Sequence, residues 1–322
     1  MTQRLAMSLL AAALASAACA ADAPARYLGK TDAWYASEAG KRVADNVLSY
    51  QADAGGWPKN IDTTVRPYAG DRKDLKPTFD NAATTDEIRL LARAFAATGD
   101  DRYRRAVERG VDYVLKSQYA NGGWPQFHPP PTTYHRYITL NDRAMVRLMS
   151  LCREVAQTDR FGFAGDDRRK AATTAFEKGI DCLLKCQIKV EGKLTAWCAQ
   201  HDEKDFRPRP GRTFELVSLS GAESVGVVEL LMSVPHPSPE VVRSIEGAVA
   251  WFEAAKFAGI RQMVVDDPKG PRGRNKVIVA DPAAPPLWAR FYEIGTNKPL
   301  FADRDGVAKY DLADIGYERR NG

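Results

Sequence analysis

The chain has 322 residues, of which 44% are hydrophobic and 27% are charged, and its 46 Lys and Arg against 41 Asp and Glu give a formal net charge of +5. This composition is typical of a globular protein and excludes disordered, collagen-like and low-complexity chains. Beyond the amino terminus no stretch approaches the roughly 18 consecutive apolar residues that a membrane helix needs, so we predict a chain without a membrane span.

Residues 1–20 have the pattern of a secretory signal peptide. Arg4 supplies the positive charge, residues 6–18 are apolar but too short to cross a bilayer, and small residues flank a cleavage site near Ala20. A lipid anchor at Cys19 is the weaker alternative, because Ser16 stands where a large aliphatic residue is usual. We therefore expect a secreted or periplasmic protein whose residues 21–322 form a single domain.

Four cysteines follow the signal peptide, at positions 152, 182, 186 and 198. In an oxidising compartment they can form one or two disulfides, or they can be small buried residues, and the sequence leaves both interpretations open. A zinc site is not expected, because only four His are present and none lies at ligand spacing to these thiols.

Apolar residues recur at the 3.6-residue period of an α-helix along most of the chain. Such stripes lie within residues 88–95, 103–115, 144–155, 172–184 and 241–252. Only residues 276–280 (KVIVA) give a clear strand signal, and long polar loops separate the helices. The pattern predicts an all-α protein with little β-structure.

A Gln-to-Trp motif repeats along the chain. Residues 51–58 (QADAGGWP) and 118–125 (QYANGGWP) match closely, and residues 187–197 (QIKVEGKLTAW) are a degenerate third copy. The glycines suit a tight chain reversal after a helix. About three helical hairpins fit the repeat, and such hairpins can close into an α/α toroid whose inner helices begin at one central cleft.

A second repeated unit opens a helix with polar residues, at 78–83 (TFDNAA), 139–144 (TLNDRA) and 218–222 (SLSGA). Asp80 and Asp142 in these units have two interpretations. Asp and Asn are favoured helix N-caps, which alone would explain them. Alternatively the two carboxylates, flanked by Asn81 and Asn141, converge on the cleft as oxygen ligands of the kind that Ca²⁺ prefers, with water or a ligand carboxylate completing the shell.

Basic residues in or beside the loops suit an acidic sugar bound at such a metal site. Arg grips a carboxylate through two parallel hydrogen bonds, although each of these residues alone is equally explained as a solvated surface charge. Trp57 and Trp124 can stack on sugar rings or pack beneath their Gly-Gly turns. The basic candidates include Lys59, Arg212, Arg274, Arg290 and Arg304.

Eight longer motifs span nearly all of the mature chain. They are residues 55–62 (GGWPKNID), 78–103 (TFDNAATTDEIRLLARAFAATGDDRY), 121–127 (NGGWPQF), 138–145 (ITLNDRAM), 178–188 (KGIDCLLKCQI), 192–202 (GKLTAWCAQHD), 218–226 (SLSGAESVG) and 280–306 (ADPAAPPLWARFYEIGTNKPLFADRDG). These motifs resemble the pectate lyases of polysaccharide lyase family ten. The resemblance implies a catalytic α/α toroid, calcium dependence, polygalacturonate as substrate, and anti-β-elimination that leaves a 4,5-unsaturated galacturonosyl end.

The resemblance also implies roles for individual residues. Arg290 matches the arginine that acts as the base, with Arg304 as the fallback, although arginine ordinarily stays protonated and needs neighbouring cations to disfavour its charge. Asp80 and Asp142 match positions that bind calcium and substrate. Arg143 departs from the family pattern of a small or acidic residue, and its charge predicts a weaker calcium site. The expected substrate-binding set is Lys59, Asn81, Trp124, Asn141, Arg212, Arg274 and Arg304.

Two other functions stay open at this point. A glycoside hydrolase acting on acidic oligosaccharides would need a carboxylate acid and base pair, for which Asp80, Asp86 and Asp142 are candidates. A carbohydrate-binding module would bind without turnover, although such modules are usually smaller than this set of repeats. Nucleic acid is not an expected partner, because the basic residues are dispersed among acidic ones. We expect a monomer.

Overall fold

The computed structural model describes residues 23–321, so the signal peptide predicted at residues 1–20 lies outside the described residues. None of the helices described is both long and apolar enough to cross a membrane. The α-helices are α1 (Asp32–Ala36), α2 (Glu38–Ser49), α3 (Thr85–Thr98), α4 (Asp101–Lys116), α5 (Ala144–Gln157), α6 (Asp166–Cys186), α7 (Gly221–Met232), α8 (Pro239–Ala255) and α9 (Tyr317–Asn321).

Three helical hairpins make up the body of the fold, α3 with α4, α5 with α6, and α7 with α8. The first helices of the hairpins form an inner layer, in which α5 packs against both α3 and α7. The second helices form an outer layer, in which α6 packs against both α4 and α8. The predicted all-α fold, an α/α toroid of about three hairpins, is therefore confirmed.

The repeated Gln and Trp residues join each hairpin to the next. Each Trp is fully buried, and its indole N–H donates to a carbonyl oxygen of the preceding helix. Each Gln amide donates to a carbonyl of its own turn and to one in the next outer helix. The bonds are Trp57 to Val47, Trp124 to Val114 and Trp197 to Leu183, and Gln51 to Gly55 and Ala106, Gln118 to Gly122 and Ala175, and Gln187 to Thr195 and Ser244, all at 2.7–2.9 Å.

Gly55 and Gly122 are needed where the repeat turns back against the outer layer. Their φ angles are 107° and 93°. A Cβ atom at Gly55 would lie 2.5 Å from the carbonyl oxygen of Arg109, and one at Gly122 would lie 2.0 Å from that of Lys178. Only glycine satisfies both the positive φ and the close approach, so the predicted turn is confirmed.

Strands within residues 23–321 form two-stranded pairs. The long pair joins β6 (Ile260–Asp266) to β7 (Arg274–Ala280) in antiparallel register, with Ile260 opposite Ala280, which confirms the strand signal at 276–280. The short strands are β1 (Ile138–Thr139), β2 (Lys189–Val190), β3 (Lys193–Leu194), β4 (Gln200–His201), β5 (Leu219–Ser220), β8 (Phe291–Tyr292), β9 (Phe301–Ala302) and β10 (Ala308–Lys309). They pair as β1 with β4, β2 with β3, β5 with β8 and β9 with β10.

The four cysteines of the described chain are buried and form no disulfide with one another. Burial raises the pKa of the Cys152 thiol to about 12, which keeps it protonated and unreactive at neutral pH. Of the two interpretations that the sequence leaves open, the structure supports small buried residues.

Candidate active site

Asp80 and Asp142 lie in matching turns at the starts of neighbouring inner helices. The turn Asp80–Ala82 precedes α3, the turn Asn141–Arg143 precedes α5, and the two turns contact each other. The second and third residues of each turn have positive φ, 51° and 63° in the first turn and 50° and 62° in the second. Residues other than glycine adopt this conformation at an energetic cost, and such residues cluster at functional sites.

Neither aspartate caps a helix. The N-cap residues are Thr84 for α3 and Arg143 for α5, and neither side chain makes a cap hydrogen bond. The interpretation of Asp80 and Asp142 as plain helix caps is therefore wrong. Their carboxylates remain available to bind a ligand.

Asp80 is a buried carboxylate, 5% exposed, with one oxygen that is not used. The Lys59 ammonium donates to Oδ2 of Asp80. Oδ1 has no hydrogen-bond partner among the described residues. Because a buried carboxylate oxygen without a partner is costly, this atom is suited to a cation or to a donor from a ligand.

Asp142 is open to solvent beside Asp80. Its Oδ2 accepts a hydrogen bond of 2.6 Å from Nδ2 of Asn141. Partial burial raises the pKa of Asp142, and the negative charge of Asp80 raises it further, against the opposing pull of Arg290 and Arg212. Two carboxylates that repel each other in this way favour a cation that they can share.

Arg290 is held beside these carboxylates by two partners. Its Nη2 donates to Oδ1 of Asn141 at 3.1 Å and to Oε1 of Glu223 at 3.0 Å. Glu223 lies in the first turn of α7, is 4% exposed, and accepts a further hydrogen bond from the hydroxyl of Ser220. Burial opposes the charge of Arg290, but Glu223 and Asp142 outweigh it and raise the pKa of Arg290. In this structure Arg290 is a fixed cation.

Arg212 is a second guanidinium within electrostatic reach of Asp142. Its side chain donates to Oε1 of Glu215, and its backbone N–H donates to Oε2 of the same residue at 3.0 Å. Burial opposes the charge of Glu215, but these bonds lower its pKa. Glu215 therefore orients Arg212 as Glu223 orients Arg290.

Three aromatic rings extend from Lys59 along one side of the site. Nζ of Lys59 lies 5.8 Å from the centre of the Phe127 ring, which packs edge-on against His135 at 5.2 Å. His135 stacks on Tyr134 at 3.9 Å. Burial lowers the pKa of His135, and the charge of Lys59 lowers it further. A neutral, half-buried aromatic wall therefore borders Asp80.

Arg143 pairs with a carboxylate of the next inner helix. Its guanidinium pairs with Glu229 of α7 and crosses that helix at Gly226, where a Cβ atom would lie 2.8 Å from Nε of Arg143. The positive charge that the sequence places beside Asp142 is thus balanced by a carboxylate of the next inner helix.

The structure places most of the predicted site residues in one group. Lys59, Asp80, Asn141, Asp142, Arg212 and Arg290 are joined by the hydrogen bonds and electrostatic contacts above. Asn81 is half-buried next to Asp80, and its Nδ2 donates to Oδ1 of Asn60 at 3.3 Å.

One predicted residue lies in the core, and this prediction is corrected. Trp124 is 0% exposed and its indole N–H donates to Val114, so it packs in the core and presents no face to a sugar. Arg274 lies at the start of β7 opposite Asp266, in a strand that packs against α9, and its part in substrate binding stays a prediction. Arg304 occupies the edge of the site, where its side chain is 68% exposed and pairs with Glu318.

Sequence reasoning missed four residues of this group, Glu215, Glu223, Tyr134 and His135. Glu223 falls within the motif at 218–226, but an acidic residue in the first turn of a helix is expected for reasons of helix electrostatics alone. The distance along the chain from Glu223 to Arg290 hides their ion pair. The signal that could have found Glu215 and Glu223 is their position beside a repeated helix start.

The residues present fit a calcium ion in part. The unused oxygen of Asp80 and the repulsion between Asp80 and Asp142 both favour a cation. No group of three or more His, Cys, Asp or Glu that could hold a metal occurs among the described residues. Two aspartates would supply only part of a calcium shell, and water and a ligand carboxylate would complete it.

The turns before two inner helices of this α/α toroid bring Asp80 and Asp142 together, and loops bring Arg212 and Arg290 beside them. The model of the family described as Pectic acid lyase matches residues 51–322. Two solved structures match nearly the whole chain. The family 10 polysaccharide lyase from Cellvibrio cellulosa has 35% identity and a TM-score of 0.78, and covers 94% of this chain and 92% of its own. A mutant of the family 10 polysaccharide lyase from Cellvibrio cellulosa, in complex with trigalacturonic acid, has 34% identity and a TM-score of 0.77, and covers 93% of this chain and 91% of its own.

A comparison with curated proteins found no match. The chain belongs to the pectic acid lyase family, and it is a pectate lyase.

Proposed function

We propose that this enzyme cleaves de-esterified polygalacturonate by calcium-assisted anti-β-elimination. The observation that carries the proposal is the meeting of Asp80 and Asp142 from successive repeats, with Arg290 and Arg212 beside them. The trigalacturonic acid complex of the related Cellvibrio mutant supports the class of substrate.

Asp80 and Asp142 would hold the calcium ion. When bound, calcium supplies positive charge that neutralises the uronate carboxylate and so acidifies the neighbouring C5–H bond. Lys59 and Arg212 add fixed positive charge where negative charge develops on the sugar, in a site that needs no reorganisation. The rings of Phe127, His135 and Tyr134 exclude water from one side.

Arg290 is the proposed base. For this role Arg290 must first give up a proton, so that its neutral guanidine can accept the C5 proton. The electron pair of the C5–H bond then forms the C4–C5 double bond, the C4–O bond to the leaving sugar breaks, and water supplies a proton to the leaving oxygen. Glu223 raises the pKa of Arg290 and so opposes this role, while Glu215 does the same for Arg212. Arg212 is the second candidate because it also lies within reach of Asp142.

Single variants separate these assignments. Arg290→Ala should lower kcat by about a thousandfold or more, as loss of a catalytic base and of a transition-state donor predicts, while trigalacturonate still binds. Turnover is measured by the ultraviolet absorbance of the unsaturated product and binding by calorimetry. Arg207→Ala, whose side chain is 81% exposed, is the matched control. A near-normal rate for Arg290→Ala would move the base to Arg212 or Arg304, which the same assay tests.

The hydrolase alternative has less support. It would need a carboxylate acid and base pair across the scissile bond, but Asp86 is buried and bonded by Arg89 at 3.0 Å, and the family is one of lyases.

We further propose that the enzyme acts as a monomer outside the cytoplasm, after removal of residues 1–20.

A further inference from the structure

Phe214 is surrounded by three guanidinium groups at the edge of the active site. The Cζ atoms of Arg212, Arg304 and Arg319 lie 4.8, 5.8 and 3.7 Å from the centre of its ring. Each arginine gains from contact with the aromatic face. Three like charges around one ring also repel each other, so the cluster is stable only with negative charge close by.

Two of the three arginines have a carboxylate partner. Arg212 pairs with Glu215, and Arg304 is bonded by both oxygens of Glu318. Arg319, on the short helix α9, makes no ion pair or hydrogen bond within residues 23–321, and its Nε is buried without a partner. The third charge of the cluster is therefore left for a ligand.

The electric field at Arg319 supports this conclusion. Burial lowers the pKa of Arg319, and the positive charges of Arg212 and Arg290 lower it further, against the opposing effect of Glu215 and Glu318. Arg212 and Arg290, the two positive charges, are the arginines that lie beside Asp142. Arg304, which contacts the same Phe214 ring as Arg319, has a side chain that is 68% exposed, so this cluster lies at the solvent edge of the site.

We propose that Arg319 binds a carboxylate of the substrate chain, on a sugar other than the one held at Asp80 and Asp142. This inference rests on the proposed function, because polygalacturonate carries one carboxylate on every sugar. The contact of 3.7 Å with the Phe214 ring restricts the Arg319 guanidinium, and a guanidinium can bind a carboxylate through paired hydrogen bonds. Arg319 is thus a substrate-binding residue that favours de-esterified chains.

The test compares Arg319→Gln with the wild-type enzyme on polygalacturonate and on partly methyl-esterified pectin. Arg319→Gln should raise KM for polygalacturonate about tenfold or more, the effect of losing a charged hydrogen bond, with kcat nearly unchanged. The difference should shrink on the esterified polymer, since a methyl ester carries no charge for Arg319 to bind. Arg207→Gln should change neither value.

A structural role would give a different result. If Arg319 only anchors α9 on Phe214, Arg319→Gln lowers Tm while KM stays the same on both polymers, which would overturn the proposal. Arg319→Lys keeps the charge but loses the guanidinium group that contacts Phe214, and its KM should fall between those of the wild type and Arg319→Gln.

A measurement on the wild-type enzyme covers the case in which the variants do not fold. Phenylglyoxal modifies accessible arginines, and mass spectrometry reads the extent at Arg319. Trigalacturonate with calcium should protect Arg319, and equal modification with and without the ligand would overturn the proposal. Failure of the proposed function is recognised separately, because the wild-type enzyme would then form no ultraviolet-absorbing product.

Discussion

Burial raises the pKa of Asp142 and the negative charge of Asp80 raises it further, although the two residues lie 62 positions apart in the chain and belong to different helical hairpins. The repeat produces this meeting, because each hairpin begins its inner helix at the same cleft. Two carboxylates at such a point are an unstable arrangement by themselves. Their proximity supports the proposal that they share a cation.

Removing one of these charges should weaken calcium binding. Asp142→Asn keeps the size of the side chain and should raise the calcium concentration for half-maximal activity by at least about tenfold, since changes around a metal ligand commonly cost that much. A calcium titration of the elimination rate measures the effect. Asp112→Asn is the control, because Asp112 pairs with Arg168 on the outer layer. An unchanged titration for Asp142→Asn would remove Asp142 from the metal site.

The ion pair between Arg143 and Glu229 should protect the same site. Glu229→Gln leaves the charge of Arg143 unbalanced beside Asp142, so the calcium requirement should rise several-fold. The double variant Arg143→Gln with Glu229→Gln should return to the wild-type requirement. If Glu229→Gln has no effect at low ionic strength, Arg143 does not influence the calcium site.

Trp124 should act on stability and leave substrate binding alone. Trp124→Phe removes the indole donor to the buried carbonyl of Val114, which then keeps the longer bond of 3.3 Å from the backbone N–H of Ser117. The loss should lower the free energy of unfolding by about 1–3 kcal/mol. KM for polygalacturonate should stay within twofold. Trp57→Phe is the matched variant, because Trp57 makes the same bond to Val47. A large rise in KM with unchanged stability would restore Trp124 to the substrate-binding set.

Glu87 should make the stability depend on pH. Burial raises the pKa of Glu87 from 4.5 to about 8, and the charge of Asp86 adds to this. Between these values the unfolded chain loses the proton while the folded chain keeps it, so the free energy of unfolding decreases as the pH rises from 4.5 to 8. Glu87→Gln cannot ionise and should lose this part of the decrease.

Denaturant unfolding of the wild type and Glu87→Gln at several pH values measures the effect. Glu177→Gln, on the exposed face of α6, is the control. Parallel stability curves for the wild type and Glu87→Gln would contradict the shifted pKa.

The repeat explains why the fold was predictable. The helical periodicity and the Gln-to-Trp copies determine the hairpins and their spacing, and each copy makes the same local bonds. Even the degenerate copy ending at Trp197 keeps the bonds of the other two. Local bonds of this kind depend on residues that are close in the sequence, so the pattern reveals them.

The site was only partly predictable, because its electrostatics depend on distant pairs. Glu223 and Arg290 are 67 residues apart, and neither position alone indicates an ion pair. Trp124 was misassigned because a tryptophan in a Gly-Gly turn can serve the core or a sugar equally well. Burial decides between the two, and burial depends on the packing of the whole repeat.

The central claim is that the aspartates and arginines of this site carry out a calcium-dependent elimination. The most direct measurement follows absorbance near the ultraviolet edge while the purified enzyme acts on polygalacturonate, first in a chelator and then after excess calcium is added. We predict no increase in chelator and a steady increase after calcium, because elimination creates an absorbing C4–C5 double bond. An equal rate of increase in chelator, or chain cleavage with no absorbing product, would contradict the account.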